Sequence, residues 1–427
     1  MDAPPFDRVA DWLAWQERLN AAGIELGLER VATVLSRLPA AGSGALTLLV
    51  GGTNGKGSCA AYLAAMLSAG GYRVGLYTSP HLLRYHERVV IDDACIDDAG
   101  LLAAFAEVEQ ARGQVPLTYF EYGTLAALSA FAQAGCTARV LEVGLGGRLD
   151  AVNAVSPAGA LVASVALDHV DWLGPDRESI GHEKAGIFRA GRPAICGDPA
   201  PPSSLLAHAR AIDAELWCIG RDYHARAESE GRWCYESPGG RLSGLPAPPL
   251  AGQVQYGNAA SAMALLEACL GFSRMAELAP ALGAARLAAR GQRVRQADVE
   301  WWLDVAHNPA AAAALADTLA AAPVPGRRLC VFGGLETKDV RGVLGALAAE
   351  VDEWLFVPAD SPRALTTARL CEALGEVGGG RASAWPGVAE ACAAAAERAR
   401  PGDRVLVAGS FHVAGPAMAW LGLSSEA

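Results

Sequence analysis

Apolar residues along the chain fall into two alternating rhythms. Short β-favouring runs end in glycine or a polar residue, and stretches with helical spacing follow them. Leu46-Thr47-Leu48-Leu49-Val50 ends in Gly51-Gly52 and reads as a strand buried on both faces. A helical pattern over residues 60–69 and a strand over 73–77 complete a strand–loop–helix–strand unit. The unit recurs as a helix over 119–134 and strands over 138–143 and 160–165. Residues 6–38 read as one or two amphipathic helices around Ala21-Ala22-Gly23. Such alternation predicts an α/β fold with a mostly parallel sheet covered by helices on both faces.

Residues 199–255 break the rhythm. They are rich in Pro, Gly and aromatics, with strand-like pieces at 216–219 and 231–236, which predicts a small β excursion. A helix over 258–269 resumes the pattern. The stretch 284–298, dense in Arg and Gln, marks a boundary, after which strands at 300–305, 328–332, 353–357 and 404–408 alternate with Ala-rich helices. The expected division is residues 1–287 as one domain, 288–298 as linker and 299–427 as a second, Rossmann-like α/β domain. A chain of 427 residues suits two cores.

Composition narrows the function. Hydrophobic residues make up 52% and charged residues 19%, a globular profile. The net charge of -11 argues against a nucleic-acid partner, which calls for a basic face. No basic segment followed by an apolar run opens the chain, and no apolar run approaches the ~20 residues of a membrane span. The expectation is a cytoplasmic protein. Ten cysteines are scattered without a Cys-x-x-Cys pair, so reduced thiols are expected, not a zinc site.

One motif carries chemistry. Gly51-Gly52-Thr53-Asn54-Gly55-Lys56-Gly57-Ser58 lies between the first strand and a helix. Glycines let backbone N–H groups wrap a phosphate, the helix start favours negative charge, and lysine adds a cation. The loop departs from the general pattern G-x-x-x-x-G-K-[ST]. Val50 stands where the first Gly belongs, and Gly57 intervenes between Lys56 and Ser58. This variant resembles the loop of the Mur ligase superfamily, and further motifs resemble its folylpolyglutamate synthase family. They are Thr78-Ser79-Pro80-His81-Leu82, Thr118-Tyr119-Phe120-Glu121-Tyr122-Gly123, the run from Leu141 to Asp150, Ala166-Leu167-Asp168-His169, Glu183-Lys184-Ala185-Gly186-Ile187, Asp304-Val305-Ala306-His307-Asn308-Pro309 and Gly409-Ser410-Phe411-His412. The resemblance runs in order from Leu13 to Trp420.

The resemblance implies an ATP-dependent ligase that joins L-glutamate to dihydropteroate and to reduced folates through an acyl phosphate. The alternatives are a ligase for folates alone or a cell-wall amino-acid ligase, although only about fifty residues precede the loop where the latter carry a whole UDP-binding domain. Implied nucleotide contacts are Thr53, Asn54, Gly55, Lys56, Gly57, Ser58, Asn258, Arg290 and Asp304. Implied Mg²⁺ ligands are Ser79, Glu142 and His169, with two ions implied in all; K⁺ and a CO₂-derived carbamate on Lys184 complete the implied cofactors. Lys56, Lys184 and His307 are the implied catalytic residues. Ile24, Glu25, Leu26, Thr118, Tyr119, Phe120, Glu121, Leu149 and Ser410 are the implied substrate contacts, and a monomer is expected. Plain readings stand beside these: Glu142 paired with Arg148, His169 a loop histidine, Lys184 a surface lysine, Arg290 a linker arginine, and His307 and Ser410 helix caps. At Ala288-Ala289-Arg290 the chain departs from the family's Pro-Gly-Arg.

Overall fold

Strand Leu46–Gly51 is buried over five of its six residues and forms the spine of the first sheet. The computed structural model describes residues 6–20, 25–42 and 44–424. Among the described residues the strands form three sheets. The largest has eight strands in the order Ala94–Cys95, Val89–Ile91, Val74–Tyr77, Ala138–Glu142, Leu46–Gly51, Gly159–Val162, Pro193–Cys196, Glu215–Cys218. Its first two pairings are antiparallel and the rest parallel. Alternation along the strands feeds two cores. Leu49 and Leu141 face helices Asp98–Arg112 and Tyr119–Gln133, while Leu48, Val50 and Val140 face Lys56–Ala69 and Val254–Leu270. These last two helices are apolar nearly all round because each is covered on several sides.

The excursion is smaller than the sequence suggests. Glu215–Cys218 joins the edge of the large sheet as a parallel strand, reached through helix Ser203–Ala211. Only His224–Ala227, Trp233–Ser237 and Gly240–Leu245 form the separate antiparallel sheet. The apolar run Leu216-Trp217-Cys218 reads as a strand, but a short run by itself does not say which sheet it joins.

The third sheet has six strands in the order Arg290–Gln296, Val299–Asp304, Arg404–Ala408, Arg328–Phe332, Glu353–Phe356, Arg381–Ala384, parallel except for the first pair. Its first strand lies within residues 288–298, where a linker is expected. That strand is polar because it sits at the sheet edge and exposes one face, so its sequence reads as a connector. Helices cover both faces of this sheet, with Leu303, Val331 and Val407 on one side and Trp302, Cys330 and Leu406 on the other.

The two large sheets meet through the loop after Val74–Tyr77. Leu82 and Leu83 pack into the core of the third sheet. Helix Phe411–Trp420 approaches that loop so closely that a Cβ on Gly415 would collide with the Leu82 backbone carbonyl. Backbone yields less readily than a side-chain tip, so Gly415→Ala is expected to cost about 1–3 kcal/mol by overpacking. Urea-induced unfolding measures it, and a variant as stable as the parent would show that the contact is slack.

Candidate functional site

Both large sheets turn the C-terminal ends of their parallel strands toward one cavity of about 1010 Å³, the usual ligand crevice of open α/β sheets. The first sheet contributes the loops after Leu46–Gly51, Val74–Tyr77, Ala138–Glu142 and Gly159–Val162. The third contributes the ends of Val299–Asp304, Arg328–Phe332, Glu353–Phe356 and Arg404–Ala408.

At the phosphate-type loop, Gly55 adopts a left-handed conformation (φ 84°) and starts helix Lys56–Ala69. A Cβ there would meet Asn258 Oδ1 at 2.7 Å, and one on Gly52 (φ 140°) would press on the Ala163 and Ser164 amides at 3.1 Å. Glycine is therefore required by both conformation and space. Lys56 Nζ donates to the Gly52 and Thr53 carbonyls, both at 3.1 Å, which folds the cation over the loop.

Glu142 is buried beside this loop and accepts the Ser79 N–H at 3.0 Å. Burial pushes its carboxyl up against the opposing charge of Lys56. It does not pair with Arg148, which bonds Glu183 at 2.8 Å. Asp150 is buried too, and burial raises it to about 6 although Leu145 and Val152 donate to it at 2.8 and 3.0 Å. Lys184 is 3% exposed, which excludes a surface lysine. Burial and then the charge of Lys56 push it down to about 7.

The cavity's densest polar crossing centres on Asp168. Lys338 Nζ donates to its Oδ1 at 2.5 Å; His307 Nε2 and Asn308 Nδ2 lie 3.3 and 3.2 Å from its Oδ2. Burial alone would raise this carboxyl, but the His307 hydrogen bond and the Lys338 charge outweigh it and hold the carboxyl well below the usual range. Lys338 also reaches His169 Nε2 at 3.2 Å, and burial and Lys338 push that imidazole down to about 4. Asn308 caps helix Pro309–Ala320 and exchanges two amide hydrogen bonds with Asn54 of the loop, at 3.1 and 3.0 Å. On the same side Asp304 holds the Gly291 and Ala306 amides at 2.8 Å each, and Arg290 lies 5.0 Å over Phe411. Ala289 takes the left-handed conformation (φ 51°), which a glycine would take without strain. Ser410 is both a cavity residue and the cap of helix Phe411–Trp420, accepting the His412 N–H at 3.2 Å.

The opposite wall is formed by Glu25, Leu26, Thr118, Phe120 and Leu149. Phe120 lies against Gly144, where a Cβ would meet the ring at 2.5 Å. Glu121 also borders the cavity, but its carboxylate is engaged by Arg30 at 2.9 Å and by the Thr118 N–H at 2.7 Å, closing the cap of helix Tyr119–Gln133. Tyr119 does not line the cavity. One position along the helix turns it toward Tyr85 and the Arg88 guanidinium, 5.7 Å above its ring. Ile24 lies outside the described residues. The cavity brings together every other candidate from the sequence.

Among the polar cavity residues that sequence reading did not single out are Asp150, Asp168 and Lys338. Asp150 and Asp168 sit inside quoted motifs, but without a fold neither has a partner to reveal it. Lys338 follows Gly333-Gly334 just past a strand, and a lysine at a strand end was the available signal. Among the described residues, no three His, Cys, Asp or Glu side chains converge on a metal-sized point. Glu142 with the Ser79 hydroxyl offers the hard oxygen donors that suit Mg²⁺, next to the phosphate-type loop. His169 keeps a neutral ring, but its Nε2 is engaged by Lys338, and ligation there requires that contact to open.

Known proteins share this architecture. Residues 50–266 match the Mur ligase middle domain and residues 289–411 the Mur ligase glutamate ligase domain. The chain is 44% identical to the dihydrofolate synthase/folylpolyglutamate synthase of Escherichia coli K12 over 405 residues, covering 95% of this chain and 93% of that one. E. coli FolC in complex with DHPP and ADP superposes with a TM-score of 0.91 at 44% identity, over 97% and 98% of the two chains. The Yersinia pestis bifunctional folylpolyglutamate synthase/dihydrofolate synthase, complexed with AMPPNP and Mn ion, does so with 0.91 at 42%, over 99% and 100%.

Asp168→Asn removes the charge shared by Lys338 and His307. Breaking a buried ion pair from one side is expected to cost about 3 kcal/mol, read as a lower urea midpoint. An unchanged midpoint would mean that both cations have other partners.

Proposed function

The chain belongs to the Mur ligase family, in its dihydrofolate synthase/folylpolyglutamate synthase branch, and from that membership we propose how its cavity divides the work. The protein is an ATP-dependent ligase that forms an amide between the carboxylate of a pterin-containing acid and the amino group of L-glutamate. The observation that carries the assignment of roles is the single cavity between two sheets, with a phosphate-type loop on one side and Asp304, His307 and Ser410 on the other.

Residues 52–58 bind the nucleotide phosphates through backbone amides, and Lys56 leaves its loop carbonyls to follow them. Asn258 and Asp304 hold the base and ribose side, with Arg290 toward the phosphates. Glu142 and Ser79, joined by His169, hold a divalent ion, which supplies charge neutralisation on the phosphates when bound. Phe120 and Leu149 form the apolar wall for the pterin ring, with Glu25 and Thr118 at its edge. The substrate carboxylate takes the terminal phosphoryl group, forming an O–P bond as the bridging P–O bond breaks. Glutamate's amine then attacks the acyl carbon, loses a proton and expels phosphate. His307, Ser410 and Lys338 orient the glutamate, and closure of the two sheets keeps water from the acyl phosphate.

Lys184 stands apart as a buried lysine whose amine is half neutral near pH 7. We propose that its nitrogen bonds the carbon of CO₂ and sheds one proton, giving a carbamate whose negative charge offsets Lys56 beside it. K⁺, a monomeric state and a cytoplasmic location belong to the same proposal, on family membership. Among the described residues no helix is long and apolar enough to cross a membrane.

Two measurements test this. The purified protein with ATP, Mg²⁺, glutamate and dihydropteroate is expected to yield dihydrofolate; extension of reduced folates alone would restrict it to polyglutamate synthesis. With ¹³C-bicarbonate, a carbamate carbon signal is expected in the parent and absent in Lys184→Ala. Because the neutral amine is the nucleophile, that signal grows as pH rises through about 7 and fades below it. A signal that persists in Lys184→Ala would exclude this lysine.

A further inference from the structure

Arg30 stands behind the cavity wall and does not line it, yet it ties together segments that do. Its Nη1 donates to Glu25 Oε1 at 2.6 Å and its Nη2 to the Glu25 backbone carbonyl at 2.8 Å. The same guanidinium donates to Glu121, from Nη2 at 2.9 Å and from Nε at 3.1 Å. Glu121 is 3% exposed, and its other oxygen accepts the Thr118 N–H at 2.7 Å. A third segment is drawn in by the Gly27 N–H, which donates to the Leu149 carbonyl at 3.3 Å. Residues 25–27, Thr118, Phe120, Glu121 and Leu149 all face the cavity.

Neutralising a buried Glu121 explains a cation at position 30, but not the two bonds to Glu25. One of these goes to the main chain and so fixes the path of the backbone whatever the side chain at 25 does. A planar guanidinium can satisfy acceptors on two segments at once in a set geometry, whereas a lysine places one point charge. We propose that Arg30 is a positioning residue for the pterin-bearing substrate: it holds residues 25–27 at a fixed distance from the Thr118–Phe120 wall and so sets the width of the slot for a flat heterocycle. This rests on the reading that the wall receives the pterin, and it adds the residue that shapes the slot without touching the ligand.

Steady-state kinetics on Arg30→Lys separate the two roles. The lysine keeps a cation beside Glu121, so the thermal midpoint stays near that of the parent. It loses the fork, so the KM for dihydropteroate rises roughly tenfold or more, while kcat at saturation and the KM values for ATP and glutamate hold. Arg30→Met also strands the buried Glu121 and loses stability; adding Glu121→Gln restores the fold but not the pterin KM. An active parent whose Arg30→Lys variant keeps its pterin KM, or loses ATP and glutamate affinity in step, overturns the role of Arg30 alone. A parent inactive on both dihydropteroate and reduced folates overturns the reading beneath it.

Discussion

The shared carboxylate of Asp168 is the constraint on which the cleft depends. It lies in the loop after strand Gly159–Val162 of the first sheet, its side chain is 7% exposed, and apart from the adjacent His169 N–H the groups that satisfy it come from the second half of the chain. A buried carboxylate without partners is costly, so this one favours the arrangement that brings Lys338, His307 and Asn308 to it. Asn308 then carries the constraint onward, because the same amide reaches Asn54. The loop and the start of helix Pro309–Ala320 are thereby registered against each other, and the apolar contact of Leu82 and Leu83 holds the far side of the joint.

Charge within the cavity follows a different rule from charge over the whole chain. The protein is acidic overall, at -11, yet Lys56, Lys184, Arg290 and Lys338 all line one cavity. Local cations with oriented backbone amides are enough to attract polyphosphate. Crowding them has a cost, which falls on Lys184: it is buried and beside Lys56, and its ammonium form is disfavoured. Burial first, and the neighbouring Lys56 charge second, push its amine down to about 7.

Much of the fold was legible because burial on both faces leaves a mostly apolar run. Leu46–Gly51, Ala138–Glu142, Arg328–Phe332 and Arg404–Ala408 all carry that signature. Arg290–Gln296 lacks it, since it lies at a sheet edge with one face exposed, and its sequence reads as a linker; Glu215–Cys218 reads as a strand, and only the fold assigns it to the edge of the large sheet. At the site, the loop from Gly52 to Ser58 was legible because glycine spacing is itself a backbone instruction. Tyr119 was misplaced because adjacent residues in a motif point to different sides of a helix. Glu121 looked like a ligand contact, although its charge is consumed by Arg30 from 91 positions away in sequence.

Local order therefore specified the alternation of strands and helices, the phosphate-type loop and the family, because each is written in neighbouring residues. Partnership was decided only in three dimensions. Asp168 with Lys338, Asn54 with Asn308, and Arg30 with Glu121 are separated by 170, 254 and 91 residues. The depressed lysine at 184 and the raised aspartate at 150 likewise depend on burial and on charges brought in by folding. Hydrogen bonding and electrostatics act through space over a few ångströms, and only the closed tertiary structure brings such distant positions within that range.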